Sequence, residues 1–312
     1  MAHVCIVTGG AGFIGSNLVD ALLLKGYKVF ALDNLLTGSV ENLKDAKKNP
    51  NFTFINTDVT NGLPVVGEIH QIYHLASPAS VPDYQKYPEE TALVNSIGTQ
   101  NVLKAAKAHG ARFLFTSTSE VYGDPKEHPQ KETYWGNVNP NGVRACYDEA
   151  KRFGEMITML YVRKHGVDAR IARIFNTYGP RMRPTDGRVI SNFVTQALAG
   201  KPITVYGDGT QTRSMCYVRD MVEGLMLLME TDAAKGEVVN IGNPEEYTMK
   251  ALAERIKART DSKSEIVYTD LPEDDPMKRK PDNAKAKSLL GWEPTVTLED
   301  GLTDTIAYYR SL

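Results

Sequence analysis

The sequence predicts an α/β fold, a doubly wound parallel sheet followed by a smaller C-terminal α/β part. Three observations carry this expectation. Short, continuously apolar runs recur through the first half with helix-period segments between several of them. A strand, a glycine-rich turn and a helix open the chain, and after Asn176 the pattern breaks into shorter elements punctuated by proline, glycine and arginine. Strands buried on both faces show no polar alternation, and strands separated by helices pair in parallel.

The elements follow in order. Val4-Cys5-Ile6-Val7 is the first strand, and Phe13, Ile14, Leu18, Val19, Leu22 and Leu23 set a helical period that closes at Gly26. Further strands are expected at Val29-Phe30-Ala31-Leu32, Phe52-Thr53-Phe54-Ile55, Ile72-Tyr73-His74-Leu75, Phe113-Leu114-Phe115 and within 167–175. Pro180, Pro184, Gly187, Pro202, Gly207 and Gly209 then divide shorter elements. The division expected is 1–175 and 176–312, with segments near 215–242 crossing back to the first part, because 222–229 and Val238-Val239-Asn240-Ile241 again read as core. The methionines of 221–229 belong to a core helix.

At 312 residues, with 42% hydrophobic content, the chain can bury a sizeable core. Its net charge of -2 leaves no basic field for nucleic acid or an anionic membrane surface, so neither is expected as a partner. Cys5, Cys146 and Cys216 are odd in number and widely spaced, which fits a reducing, cytoplasmic setting better than a disulfide framework. Met1-Ala2-His3 runs directly into the first strand, with no basic leader or apolar signal core. His109-Gly110 and His165-Gly166 are helix C-caps. His74 lies in a strand and His128 in a loop, without a second ligand at suitable spacing, so no metal site is expected.

The motifs gather at strand ends. Gly9, Gly12 and Gly15, with Phe13 and Ile14 between them, follow a strand and open a helix, the context of a dinucleotide-phosphate turn. Asp33 ends the second strand, where a carboxylate can accept a bond from a ribose 2'-hydroxyl and repel a 2'-phosphate; with Asn34 beside it, this favours NAD over NADP. Asp58 and Val59 are placed toward the adenine, and Leu75, Ala76, Ser77 and Asn95 along the cofactor's path. Thr116-Ser117-Thr118-Ser119-Glu120 leaves the strand at Phe113 with three hydroxyls, a serine and an acid at the sheet's rim. Tyr147 and Lys151 stand one helical turn apart, and an adjacent ammonium would favour the phenolate needed for acid/base work.

Together, the glycine turn, Asp33, the hydroxyl run and Tyr147-x-x-x-Lys151 resemble the extended short-chain dehydrogenase/reductases that act on nucleotide sugars. The resemblance covers residue 3 to about 310. It implies a Rossmann-type domain, a smaller sugar-nucleotide domain, tightly held NAD, and a homodimer through helices near 90–108 and 146–165. Tyr147 matches the base, Lys151 its partner and Thr118 the hydroxyl at the sugar O4; Thr116 and Arg181 join the cofactor contacts. Related 4,6-dehydratases carry Asp-Glu where this chain has Ser119-Glu120, and 4-epimerases usually lack both acids. With the segments around Ser77, Arg173 and Arg279, this is most similar to members that decarboxylate UDP-glucuronate to UDP-xylose.

That activity implies oxidation at C4, loss of the C6 carboxylate as CO2, and re-reduction. Glu120 has two readings: protonated or water-bridged, it relays a proton to C5; ionised, it disfavours the substrate's carboxylate. Arg279 binds the carboxylate or the diphosphate, or delivers the proton through water. By similarity Asn176, Arg188, Asn192, Tyr206, Gln211, Arg213 and Arg279 contact the UDP-sugar, with a turn at Gly207-Asp208-Gly209 aiming Gln211 and Arg213. A UDP-hexose 4-epimerase or a nucleotide-sugar 4,6-dehydratase is the alternative.

Overall fold

A computed structural model describes residues 3–64, 67–271 and 278–312; Met1 and Ala2, ahead of the first strand, lie outside them. Seven strands form one parallel sheet: β1 (Val4–Thr8), β2 (Lys28–Asp33), β3 (Phe52–Asn56), β4 (Gln71–His74), β5 (Arg112–Thr118), β6 (Ala169–Ile174) and β7 (Val238–Ile241). Their order is β7-β6-β5-β4-β1-β2-β3. The chain leaves β1 toward one edge for β2 and β3, then returns to β4 on the other side. That reversal opens a crevice at the carboxyl ends of β1 and β4.

Each strand sends successive side chains to opposite faces. Cys5 and Val7, Val29 and Ala31, Tyr73, Leu114 and Ala172 pack on one face against α1 (Phe13–Leu24). Ile6, Phe30 and Leu32, Ile72, Phe113, Phe115 and Ile171 pack on the other against α2 (Thr99–His109) and α3 (Ala145–His165). Both faces are apolar because both are covered. α2 and α3 end at Gly110 and Gly166, each left-handed, with His109 and His165 in the last turns. Positive backbone torsion at these caps is what glycine allows.

After β6 the chain forms α4 (Val189–Leu198), then α5 (Val218–Glu230), which packs on the α1 face with Met221, Leu225, Leu228 and Met229 buried. β7 pairs with β6, Val238 to Ile241 against Ile171 to Ile174. The remaining strands form small sheets. Ile203–Tyr206 pairs in parallel with Ile266–Thr269, and Thr212–Ser214 lies between Glu246–Thr248 and Lys278–Arg279. Asp220 ties the C-terminal segment to α5, accepting from Thr295 N at 3.1 Å and Val296 N at 2.9 Å, and the Trp292 indole donates to its carbonyl.

Candidate active site

A cleft of about 770 Å³ runs along the carboxyl ends of the sheet. Its floor begins with the glycine turn. Gly9 has φ of +70°, and a Cβ there would stand 2.8 Å from the Ala76 backbone nitrogen; one on Gly15 would stand 2.0 Å from the Gly9 carbonyl oxygen. Only glycine lets the turn close this tightly. No side chain caps α1 at Gly12, so its first-turn N–H groups are left for a ligand. Asp33 is held by the same turn, its carboxylate accepting from Ala11 N at 3.0 Å and Leu35 N at 2.8 Å. Burial pushes this carboxyl up, and the two N–H bonds pull it back. A narrow turn, an uncapped helix start and an acid at the second strand's end fit the diphosphate and ribose of a dinucleotide.

Asn34, Asp58, Val59, Leu75, Ala76, Ser77 and Thr116 continue the wall. Asn34 donates to Asp58 at 3.0 Å, which fixes the two together. Asn95 does not reach the cleft. It is fully buried in a wide helical turn, Val94–Gly98, and donates to Ser77 Oγ at 2.8 Å, so it supports a wall residue from behind.

The hydroxyl run divides its tasks. Thr116 Oγ1 donates to the His74 carbonyl at 2.8 Å, and Ser117 Oγ to Glu155 at 2.6 Å, both within the fold. Thr118 faces the cleft, hydrogen-bonds Tyr147, and accepts from Glu120 N at 3.2 Å. Tyr147, Lys151, Gly154, Thr158 and Tyr161 form the buried stripe of α3, spaced by three or four residues, so helix period alone turns the tyrosine and lysine to the same side. The Tyr147 ring stacks on Tyr84 at 5.0 Å, a contact with no local sequence signal.

Lys151 stands over the Tyr147 ring from one helical turn away. Its ammonium donates to the Thr116 carbonyl at 2.8 Å and stands 5.8 Å from the Tyr147 ring centre. Burial pushes it down to about 7, so near neutral pH much of its charge is gone. Burial likewise pushes the Tyr147 phenol up; the Thr118 hydrogen bond opposes this, and the charge of Arg188 pulls the same way as Thr118.

Glu120 is gripped from two sides. Arg279 donates to Oε1 at 2.8 Å and Arg144 to Oε2 at 2.6 Å. Burial alone would raise this carboxyl, but the two guanidinium groups hold it at about 2, so it is ionised. Arg279 also donates to Ser119 Oγ at 3.0 Å and the Gly123 carbonyl at 2.8 Å, and it does not line the main cleft. Arg279 thus clamps Ser119 and Glu120 together. Arg144 escaped the sequence reading because a lone arginine at a helix start has no pattern.

Asn176, Arg188, Asn192, Tyr206, Gln211 and Arg213 line the opposite wall, and Arg181 lies near α1. Arg181 bonds Ser16 O at 3.0 Å and Asp20 at 2.5 Å. Arg188 pairs with Asp186 through two bonds, at 2.6 and 2.8 Å. Gly207 and Gly209 take positive φ in the turn after Tyr206, and Gln211 folds back to donate to the Tyr206 carbonyl at 2.6 Å.

Comparison with known proteins accounts for this assembly. The family model described as GDP-mannose 4,6 dehydratase matches residues 6–305. UDP-glucuronic acid decarboxylase 6 of Arabidopsis thaliana is 57% identical over 298 residues, covering 95% of this chain and 86% of the relative. UDP-glucuronic acid decarboxylase 4 of the same plant is 56% identical over 308 residues, covering 98% and 68%. A crystal structure of UDP-glucuronic acid 4-epimerase from Bacillus cereus, in complex with UDP-glucuronic acid and NAD, superposes with a TM-score of 0.88 at 30% identity over 99% of both chains. By identity sustained along almost its whole length, the chain belongs to the family of the UDP-glucuronic acid decarboxylases, among the extended short-chain dehydrogenase/reductases.

Proposed function

We propose that the protein converts UDP-glucuronate to UDP-xylose and CO2, with NAD as its cofactor. The observation that carries this reading is the ionised Glu120, clamped by Arg279 and Arg144 on the cleft wall beside Thr118 and Tyr147. The dinucleotide is held by the Gly9–Gly15 turn and Asp33, and when bound it supplies reversible two-electron oxidation at C4. Tyr147 takes the O4 proton and returns it, with Thr118 bonded beside it. Oxidised at C4, the sugar carries its carboxylate β to a ketone, and such acids lose CO2 readily. The negative charge then developing at O4 is met by the Thr118 and Tyr147 hydroxyls.

Glu120 brings no proton of its own at neutral pH. Arg279 and Arg144 hold its negative charge in place on the cleft wall. Arg279 spends donors on Glu120, Ser119 and Gly123, so it offers the incoming group few new hydrogen bonds. Its departure as CO2 is correspondingly little opposed. The uridine diphosphate lies against Asn176, Arg188, Asn192, Tyr206, Gln211 and Arg213, where arginine forks suit phosphate oxygens.

The protein works as a homodimer. Leu93, Ile97, Phe153, Met156 and Leu160 are 40–50% exposed on the helices of 88–109 and on α3, and 153, 156 and 160 repeat as a helix seam does. Among the described residues no helix is long and apolar enough to cross a membrane, and all three thiols are free, which supports work in the reducing cytoplasm. Incubation with UDP-glucuronate, following CO2 and the mass of the nucleotide product, tests the reaction. Absence of CO2 refutes it, and an epimerised hexuronate would reassign the chain to 4-epimerisation.

A further inference from the structure

Behind Glu120 lies a second, smaller cavity of about 220 Å³, walled by Glu120, Arg144, Arg279, Asp148, Asp124 and Asn139, with neighbouring backbone. Glu120 and Arg144 line both this cavity and the main cleft, so they form the partition between the two. Asp148 lines only the smaller one. It follows Tyr147 in the first turn of α3, is 6% exposed, and its buried Oδ1 has no hydrogen-bond partner. A buried carboxyl oxygen without a donor is costly when ionised and tolerable when protonated.

The proposed reaction needs a proton from outside the cleft. Loss of CO2 breaks the C5–C6 bond and leaves its electron pair in the C4–C5 enolate; C5 then forms a C–H bond with one proton. The substrate enters with a carboxylate charge and CO2 leaves neutral, so each turnover consumes one proton from solvent. Tyr147 returns to O4 the proton it removed and contributes none net. Glu120 is held ionised by its arginines. Lys151 lines the cleft, with its ammonium held on the Thr116 carbonyl.

We propose that Asp148 is the proton-relay residue of this reaction, taking a solvent proton in the small cavity and passing it across the Glu120 and Arg144 partition to the cleft, where C5 accepts it. The relay rests on the decarboxylation proposed above. Among the described residues, the charges facing Asp148 are Glu120 from the turn after β5, Arg144 at the start of α3, Arg279 from Lys278–Arg279, Glu149 beside it, and Asp124 in the wall of the same cavity. Tyr84 and Cys146, also near, are pushed up by burial and are uncharged at neutral pH. Burial first, and then the charge of Glu120, raise the Asp148 carboxyl to about 7, against the pull of the two arginines. It therefore holds a proton at the pH where one is needed and refills from solvent.

The test compares Asp148→Asn and Asp148→Glu with the unaltered protein, each purified with its bound cofactor, using UDP-glucuronate and measuring CO2 across about pH 6 to 8.5, the span over which such a group titrates. Since the protonated form acts, kcat of the unaltered protein falls as pH rises through about 7. Asp148→Asn lowers kcat by about 10-fold or more, the scale of lost proton transfer, leaves KM within about twofold and removes that limb. Asp148→Glu restores activity and a limb at a shifted pH. Infrared titration, independent of turnover, shows a protonated carboxyl near neutral pH that Asp148→Asn lacks. Lys151 titrates in the same range, so a limb that survives in Asp148→Asn belongs to it and overturns the relay. A flat profile in the unaltered protein overturns it as well. If Asp148→Asn does not fold, an identical limb in Asp148→Glu is the overturning result. No CO2 from the unaltered protein would sink the reaction itself, whereas CO2 release without an Asp148-dependent limb sinks the relay alone.

Discussion

Replacing Arg279 with methionine tests what keeps Glu120 charged. The guanidinium is 2% exposed and donates to Glu120 at 2.8 Å, and methionine fills similar space without charge. Two unit charges about 4 Å apart at an effective dielectric of about 20 interact by about 4 kcal/mol. At about 1.4 kcal/mol per pKa unit, losing that interaction moves a carboxyl by roughly three units. Glu120 would rise from about 2 toward 5, because Arg144 remains. A carboxyl depressed below its unfolded value contributes stability above that value and loses it as pH falls through the folded one. The variant should therefore lose activity on the acid side near pH 5, where the parent protein still holds Glu120 ionised. Stability should fall by about 3 kcal/mol, the lower end of the cost of unpairing a buried charge, since one partner survives. The assay is kcat/KM for CO2 release between about pH 5 and 8, with thermal unfolding alongside. An acid side that coincides with the parent's, at activity within about twofold, would refute the claim that Arg279 sets the charge of Glu120.

Other outcomes follow from the same geometry. Tyr147→Phe removes the phenol assigned to exchange the O4 proton, so turnover should drop by about 10²-fold or more while NAD stays bound, read by cofactor absorbance after gel filtration. Gly15→Ala puts a methyl 2.0 Å from the Gly9 carbonyl oxygen, so the turn must open, and NAD retention should be lost before UDP binding. Lys151 is pushed from 10.5 down to about 7, so between these values the unfolded chain binds a proton the folded one lacks and stability rises with pH. Lys151→Met should flatten that rise in denaturant titrations. Met156→Glu, in the exposed stripe of α3, should convert the proposed dimer to monomer in sedimentation without altering the cleft.

What the sequence makes legible is whatever periodicity or local spacing encodes. Strand runs such as Val4-Cys5-Ile6-Val7 announce a sheet covered on both sides, and Tyr147 and Lys151 share a buried stripe because four residues is one helical turn. The glycine turn and Asp33 sit where strand ends must sit. The clamp on Glu120 has no such signature: Arg144 is 24 residues away, Arg279 is 159 away, and each is one arginine among many until β5, α3 and the strand Lys278–Arg279 converge. Asp148 stands next to Tyr147 in sequence, yet its surroundings come from those same distant elements. The protonation of Glu120 was open in the sequence for this reason, since a carboxyl's charge state is set by what surrounds it rather than by its neighbours along the chain. The same convergence that holds Glu120 ionised raises Asp148, by burial first and then by repulsion from that fixed charge. Two carboxyls whose environments drive them apart are assigned different work, one to hold charge beside the substrate and the other to carry a proton.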